Sequence, residues 1–213
     1  MGIPREPKPA KYFVALLSSN QEYLAGVEND LINVLGAIDC RSQTLSWGVS
    51  PFYEKEMGPK LLRRFVSFEP LRSPEKLAEV KLATQRLEEK HRNPRMQPSG
   101  RRVNLDPGYL EAGKIVLAST KNASQRIYLR SGIYAEATLL YYESGFHACS
   151  YTYPDYLWPE TLAFLTSLRS IYLKQLRAHG WNHRRTAVSL GVHRNTIESK
   201  LKKYGIRPAP EFL

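Results

Sequence analysis

The sequence predicts an α+β fold, a mixed or antiparallel sheet with packed helices, followed by a small all-α helix-turn-helix module. Strand-like and helical stretches alternate irregularly along residues 11–153, a Glu143-Ser144-Gly145 turn joins two apolar runs as a hairpin, and a helix–Gly–helix pattern closes the chain. The 213 residues allow one large domain, or a medium one with a small appendage. Apolar residues make up 42% and charged residues 24%, which excludes a wholly disordered or fibrous chain. No apolar run approaches the roughly 18 residues that cross a bilayer, so no membrane partner is expected. With only Cys40 and Cys149 there is neither a disulfide framework nor a clustered zinc site, and a reducing cytoplasm is the expected location.

Residues 1–10, with three prolines, form an N-terminal extension. The body spans 11–158. Lys11 to Ser19 is a compact apolar run suited to a buried, central strand. Asn20 caps a helix whose stripe is Tyr23, Leu24, Val27, Leu31, Val34 and Leu35, and Gly36 stops it. Ile38 to Trp47 and Leu62 to Leu71 are further strands, joined by an aromatic and acidic loop over 50–59. Ser73-Pro74-Glu75 supplies cap, first-turn proline and first-turn acid for a helix to about His91. The polar stretch 91–102, broken by Pro and Gly, is expected to be an exposed loop with solvated charge.

Asp106-Pro107 is a cap and first-turn pair for a helix through about Ser119, with strand as the alternative for Ile115 to Ala118. Arg126 to Leu129 and Ile133 to Tyr142 are strand-like, and the turn at 143–145 leads into Phe146 to Tyr153. A connecting helix over 159–178 carries Leu162, Leu165, Leu168, Ile171, Tyr172 and Leu176 on one stripe. The helix-turn-helix covers 179–206, and 207–213 is a tail.

Charge separates the two parts. Residues 167–213 hold ten Lys or Arg against two acids, a net +8 of the chain's +11, while the other 166 residues hold 21 against 18. A basic module on a near-neutral body points to a polyanionic partner. Within it, Asn182 caps a short helix, Ala187 lets a second helix cross closely, and Gly191 between Leu190 and Val192 can take the left-handed turn. The second helix, about Arg194 to Tyr204, buries Ile197 and Leu201 and shows Arg194, Thr196, Ser199, Lys200, Lys202 and Lys203 on its other faces. Such a helix fits the major groove of double-stranded DNA, where Arg reads guanine edges and Lys neutralises phosphates.

The segment 177–206 resembles the Fis-type helix-turn-helix, carried by Asn182, Ala187, Leu-Gly-Val at 190–192, Arg194, Thr196 and Lys-Leu-Lys-Lys-Tyr-Gly at 200–205. The resemblance implies DNA contacts at Asn182, Arg184, His193, Arg194, Thr196 and Lys200, and Arg185, Ser199 and Lys203 are further candidate DNA contacts on the same segment. It makes Arg194 the base reader, with most of the rest positioning against phosphate. Fis-like modules usually act as dimers, which implies a homodimer with recognition helices about 34 Å apart. The chain departs from the pattern at His193, where a short polar cap is usual, and at Glu198, an acid on a face often basic.

Residues 7–176 resemble the family known as domain of unknown function 4416, found in bacteria and archaea. The likeness rests on Lys11 to Ser18, Tyr53-Glu54 with Glu56-Met57-Gly58-Pro59, Phe68-Glu69, Glu79 to Thr84, Arg102 to Leu110, Ile133 to Glu136 and Tyr151 to Tyr156. It brings no activity with it. The chain departs at Ser50-Pro51-Phe52, where proline stands in place of an expected aspartate.

From the residues themselves, Glu54, Glu56, Arg63, Arg64, Asp106, Tyr109, Lys114, Lys121, Arg126 and Glu136 are candidates for a pocket taking a small anionic ligand such as a phosphorylated metabolite, or a metal. The competing reading makes them capping acids and ion pairs, with Asp106 a helix cap. Gly108 to Lys114 fits G-x-x-x-x-G-K, but Ile115 lacks the hydroxyl that would hold magnesium and the intervening side chains are bulky. His179 and His183 have no thiol or carboxylate nearby, so no metal or other cofactor is assigned, and no nucleophile signature marks an active site. The sequence thus describes a DNA-binding transcriptional regulator whose body dimerises or senses a ligand. The alternatives are an enzyme or a nucleotide- or phosphometabolite-binding protein with an accessory basic tether, and an RNA-associated protein.

Overall fold

The central element is the strand β1, Ala10–Ser18, buried along its whole length as its unbroken apolar run requires. The computed structural model describes residues 2–4, 6–95, 100–178 and 203. Helix α1, Gln21–Leu35, follows β1. The Asn20 side chain caps it by accepting from the Glu22 N–H at 2.6 Å, and Gly36, at φ 91°, ends it by donating to the Ile32 carbonyl. The stretch expected as one strand over 38–47 is two, β2 (Ile38–Arg41) and β3 (Leu45–Ser46), both paired to β4 (Leu62–Arg72). A four-residue helix α2, Glu54–Met57, lies in the loop before β4.

The helix expected from Ser73 begins as a 3-10 turn at Pro74–Lys76 and continues as α3, Leu77–Lys90. Ser73 gives no side-chain cap; its carbonyl instead accepts from the buried Tyr12 hydroxyl at 3.0 Å.

The helix expected from Asp106 is absent. In its place stand β5 (Asn104–Glu111) and β6 (Lys114–Ser119), an antiparallel hairpin turning at Ala112-Gly113. Asp106-Pro107 satisfies the local rule for a helix start, but the β-forming runs on both sides pair with β1 and β8, and tertiary pairing overrides the cap signal. Asp106 is therefore a mid-strand residue and no cap. Gly108 sits where strands close in: a Cβ there would lie 2.6 Å from both Leu117 Cδ2 and the Val116 carbonyl oxygen. Strands β7 (Ile127–Arg130), β8 (Ile133–Tyr142) and β9 (Gly145–Ala148) complete the sheet.

The nine strands of the described residues form one antiparallel sheet, in the order β2-β4-β1-β5-β6-β8-β7, with β3 also on β4 and β9 also on β8. Strand alternation splits its residues between two faces. Tyr12, Val14, Leu16, Val66, Leu105 and Val116 pack with Leu24, Val27 and Leu31 of α1 and Leu77 and Ala78 of α3. On the opposite face, Phe65 meets Tyr156 at 5.4 Å and Phe164 at 5.7 Å.

Phe164 belongs to α4, Pro159–Ala178, which starts where the sequence indicated. Its buried side chains Thr161, Phe164, Leu165, Leu168 and Tyr172 include Phe164, which the leucine stripe omitted, whereas Leu162 and Ile171 are only half-buried. The body itself spans Pro9–Leu173. Among the described residues no helix is long and apolar enough to cross a membrane.

Candidate functional site

The strand registers decide which polar side chains meet. Arg63 and Asn104 both pair with Leu17, and Asp106 pairs with the neighbouring Ala15, so the three share the face turned away from α1 and α3. Glu136 reaches the same face through its pairing with Leu117, which is opposite Gly108. The β5–β6 ladder begins only at Gly108, because Pro107 has no N–H to give and Asp106 and Asn104 lie beyond the paired stretch. That open seam forms part of a cavity of about 410 Å³.

At its centre Asp106 is held by three groups. Asn104 Nδ2 donates to Oδ2 at 2.6 Å, Lys81 Nζ lies 3.3 Å from Oδ1, and Arg63 Nη1 is 4.0 Å from Oδ2. Burial works against the Asp106 charge, but Lys81 and Arg63 outweigh it and hold the carboxyl below the usual range. Glu88, on α3 with Lys81, accepts the Leu105 N–H at 2.7 Å; burial pushes its carboxyl up against the pull of Lys81. Arg101 donates to Asn104 Oδ1 at 2.9 Å and pairs with Glu56 at 3.6 Å. The charge expected to be merely solvated in the 91–102 loop is thus anchored, as is Arg102, which stacks 5.1 Å from Tyr23.

On the other side of the seam Arg126 pairs with the buried Glu136 at 2.9 Å and donates to Ser119 Oγ and Tyr153 Oη, each at 2.7 Å. The aromatic wall is Trp47, Phe52 and Tyr53, in edge-to-face contacts at 5.7 and 5.1 Å. Burial, with the nearby Asp106 charge, pushes the Tyr53 phenol up to about 12. Burial and Asp155 raise Tyr156 well above its ordinary value. Both hydroxyls stay protonated at neutral pH.

Of the ten pocket candidates, Glu56, Arg63, Asp106, Lys121, Arg126 and Glu136 line this cavity. The other four lie elsewhere. Arg64 points to the helix side, where it pairs with Glu28 at 2.7 Å; Tyr109 packs on Tyr12 at 5.8 Å in the helix-side core; Lys114 pairs with Glu111 beside the hairpin turn; Glu54 is exposed at the start of α2. The alternation that puts Arg63 inside puts Arg64 outside, and the same rule separates Asp106 from Tyr109.

Lys81, Glu88, Arg101, Asn104, Tyr153 and Asp155 also line the cavity and were not among the candidates. A signal for most of them was present: Lys81, Asn104, Tyr153 and Asp155 fall inside the motifs that carry the family resemblance. Those motifs, distant in sequence, converge on one cavity.

The G-x-x-x-x-G-K match at 108–114 is the β5–β6 hairpin, with no helix after it to receive phosphate. Gly108 is there for strand packing. Among the described residues no three His, Cys, Asp or Glu side chains gather as metal ligands would.

Residues 8–172 match the family model described as Domain of unknown function (DUF4416). The chain belongs to this family. The DUF4416 match ends at Tyr172, the last buried residue of α4 among those described. Residues 173–204 match the model described as Bacterial regulatory protein, Fis family. This DUF4416 protein therefore carries a Fis-family helix-turn-helix segment directly after its body, and that segment suggests DNA as a partner. No curated protein and no solved structure matches the chain. Asn182, Arg184, Arg185, His193, Arg194, Thr196, Ser199 and Lys200 lie outside the described residues; Lys203 is helical and exposed.

Proposed function

We propose that this protein is a transcriptional regulator that reads duplex DNA through its C-terminal helix-turn-helix, with the DUF4416 body serving in dimerisation or ligand sensing. The observation that carries this reading is the Fis-family match over 173–204, on a segment with six Lys or Arg between 184 and 203. The basic side chains dock the recognition helix on the phosphate backbone by displacing counterions. Arg194 and Thr196 then supply base reading, and Asn182, Arg184, Arg185, His193, Ser199, Lys200 and Lys203 fix the register. A homodimer places two such helices about 34 Å apart on successive turns of the duplex.

The test is binding of the full chain and of Arg194→Ala to a pool of duplexes at several salt concentrations. A subset of sequences bound with a steep salt slope, on which Arg194→Ala costs about 1–3 kcal/mol, supports site-specific reading. Binding that is absent, or equal on all duplexes and untouched by the substitution, overturns it.

A second reading, a phosphometabolite-binding protein or enzyme with a basic tether, is favoured by the cavity in the body. Turnover of a phosphorylated substrate by the full chain, unchanged by added duplex, would support this reading over the first.

A further inference from the structure

The cavity lining contains hydrogen-bonding groups that are buried and left without hydrogen-bond partners, as are a few atoms elsewhere in the body. Trp47 Nε1, Arg63 Nε and Tyr156 Oη have no hydrogen-bond partner, although the three residues are 7%, 5% and 2% exposed; Arg63 Nη1 has only the Asp106 carboxylate at 4.0 Å, and the acceptors Glu56 Oε2 and Asp155 Oδ2 have ion pairs, with Arg101 and Arg63, but no hydrogen bond. Each such group costs about 1–3 kcal/mol when it is cut off from water and partners. All three line the same cavity.

They also converge. The Arg63 guanidinium lies 5.8 Å from the Trp47 ring and 5.9 Å from the Phe65 ring, and Tyr156 packs edge-on against that same Phe65 at 5.4 Å. An indole N–H, guanidinium N–H groups and a phenol held in its protonated form thus belong to neighbouring side chains of one cavity lining, and all of them can donate.

The cavity lining carries five cations and five acids. Arg63 pairs with Asp155 at 2.9 Å, Lys81 with Asp106 at 3.3 Å, Arg126 with Glu136 at 2.9 Å and Arg101 with Glu56 at 3.6 Å. Two charged groups remain. Burial raises the Glu88 carboxyl above its ordinary range, and Lys121 stands exposed, 5.1 Å from the Phe52 ring. A guest that complements three buried donors, one of them a guanidinium, carries oxygen acceptors, and an anionic oxygen suits the guanidinium. A wall of Trp47, Phe52 and Tyr53 suits a flat ring attached to them.

We propose that this cavity binds a small organic oxyanion, a phosphate monoester or a carboxylate on a planar ring. Its oxygens lie on Arg63, Trp47 and Tyr156, and its ring lies against Phe52 and Tyr53. Because the oxygens take up groups that are otherwise unpartnered, binding recovers a cost already present in the fold. The inference deepens the sensing role proposed for the body, and its regulatory meaning rests on that reading; the binding itself does not.

The test uses the full chain without DNA, titrated by calorimetry and followed by thermal melting, with phenyl phosphate, benzoate, inorganic phosphate and benzyl alcohol as probes. Saturable binding of phenyl phosphate or benzoate, absent for the neutral alcohol and weaker for inorganic phosphate, is expected. The tighter of the two aromatic anions identifies the headgroup. Tyr156→Phe removes a hydroxyl that has no partner in the fold, so it should melt no lower than the wild type and yet bind the anion about tenfold more weakly.

If Tyr156→Phe does not fold, Trp47→Phe removes the indole N–H and serves the same comparison. The proposal is overturned if no anion binds, if benzyl alcohol binds equally well, or if the substitution leaves affinity unchanged. Since no DNA is present, such a failure leaves duplex reading standing, and a failure of duplex reading leaves anion binding standing.

Discussion

Lys81 of α3 donates to the Leu105 carbonyl at 2.8 Å and lies 3.3 Å from Asp106 Oδ1, so a helix on one face of the sheet fixes a carboxylate of the other. The seam between β5 and β6, unpaired before Gly108, makes that reach available. Helix layer and cavity are thereby coupled through one buried lysine.

Lys81→Met should lower stability by about 1–3 kcal/mol at pH 7, since it leaves the Leu105 carbonyl unpaired and Asp106 with weaker compensation. The partial exposure of the Asp106 side chain, 32%, keeps the loss away from the larger values seen for fully buried pairs. Asp106 has a lowered carboxyl pKa in the fold, so its contribution is present above the unfolded value and is lost as pH falls through the folded one. The gap between wild type and variant should therefore narrow in acid, and urea denaturation at pH 7 and pH 3 measures both.

Glu88→Gln should move stability the other way. The Glu88 carboxyl is raised above its ordinary value by burial, so the folded state holds its proton more tightly and stability falls as pH rises from the unfolded value through the folded one. Glutamine keeps an acceptor for the Leu105 N–H without the buried charge. The variant should melt higher than wild type at pH 7, with the difference shrinking towards pH 4; a melting point at pH 7 equal to or below that of wild type would contradict this account.

Gly108→Ala should cost about 1–3 kcal/mol, because the new Cβ meets a backbone oxygen and the Leu117 side chain at 2.6 Å and strand pairing gives the backbone no room to move. For a chain of this size that corresponds to a melting point lower by about 2–4 °C per kcal/mol. Gly113→Ala, with nothing within 4 Å of its Cβ, is the control and should be near neutral. A phosphate-loop role for the 108–114 segment would instead make both changes act on ligand binding.

Lys200→Ala tests the phosphate-positioning role. It should weaken binding almost uniformly across duplex sequences and reduce the salt slope by about 1, in contrast to the sequence-dependent loss expected for Arg194→Ala. Binding measured at four or more salt concentrations separates the two; an unchanged slope removes Lys200 from the contact set.

Much of the body was legible from local pattern. The buried run of β1, the Asn20 cap and Gly36 stop of α1, β4, the hairpin at 143–145 and the start of α4 all lie where the residues indicated. Each is set by interactions within a few residues of itself, which a linear reading can weigh. Asp106-Pro107 misled because its local chemistry is that of a helix start, and only pairing with residues about 90 positions earlier, on β1, makes it a strand.

The sequence by itself determined the division into a near-neutral body and a basic C-terminal module, the family of each, and the presence of acids and bases able to build a polar pocket. Charge balance and motif spacing are properties of the chain alone. Tertiary structure decided which of those residues meet. Register places Arg63, Asp106 and Glu136 on one face and sends Arg64 and Tyr109 to the other, and the missing N–H of Pro107 leaves the seam open. Lys81 and Tyr156 enter the cavity from α3 and from the turn before α4. A one-residue step in a strand reverses the direction of a side chain, so the membership of such a site depends on pairing between distant segments, which composition and spacing do not encode.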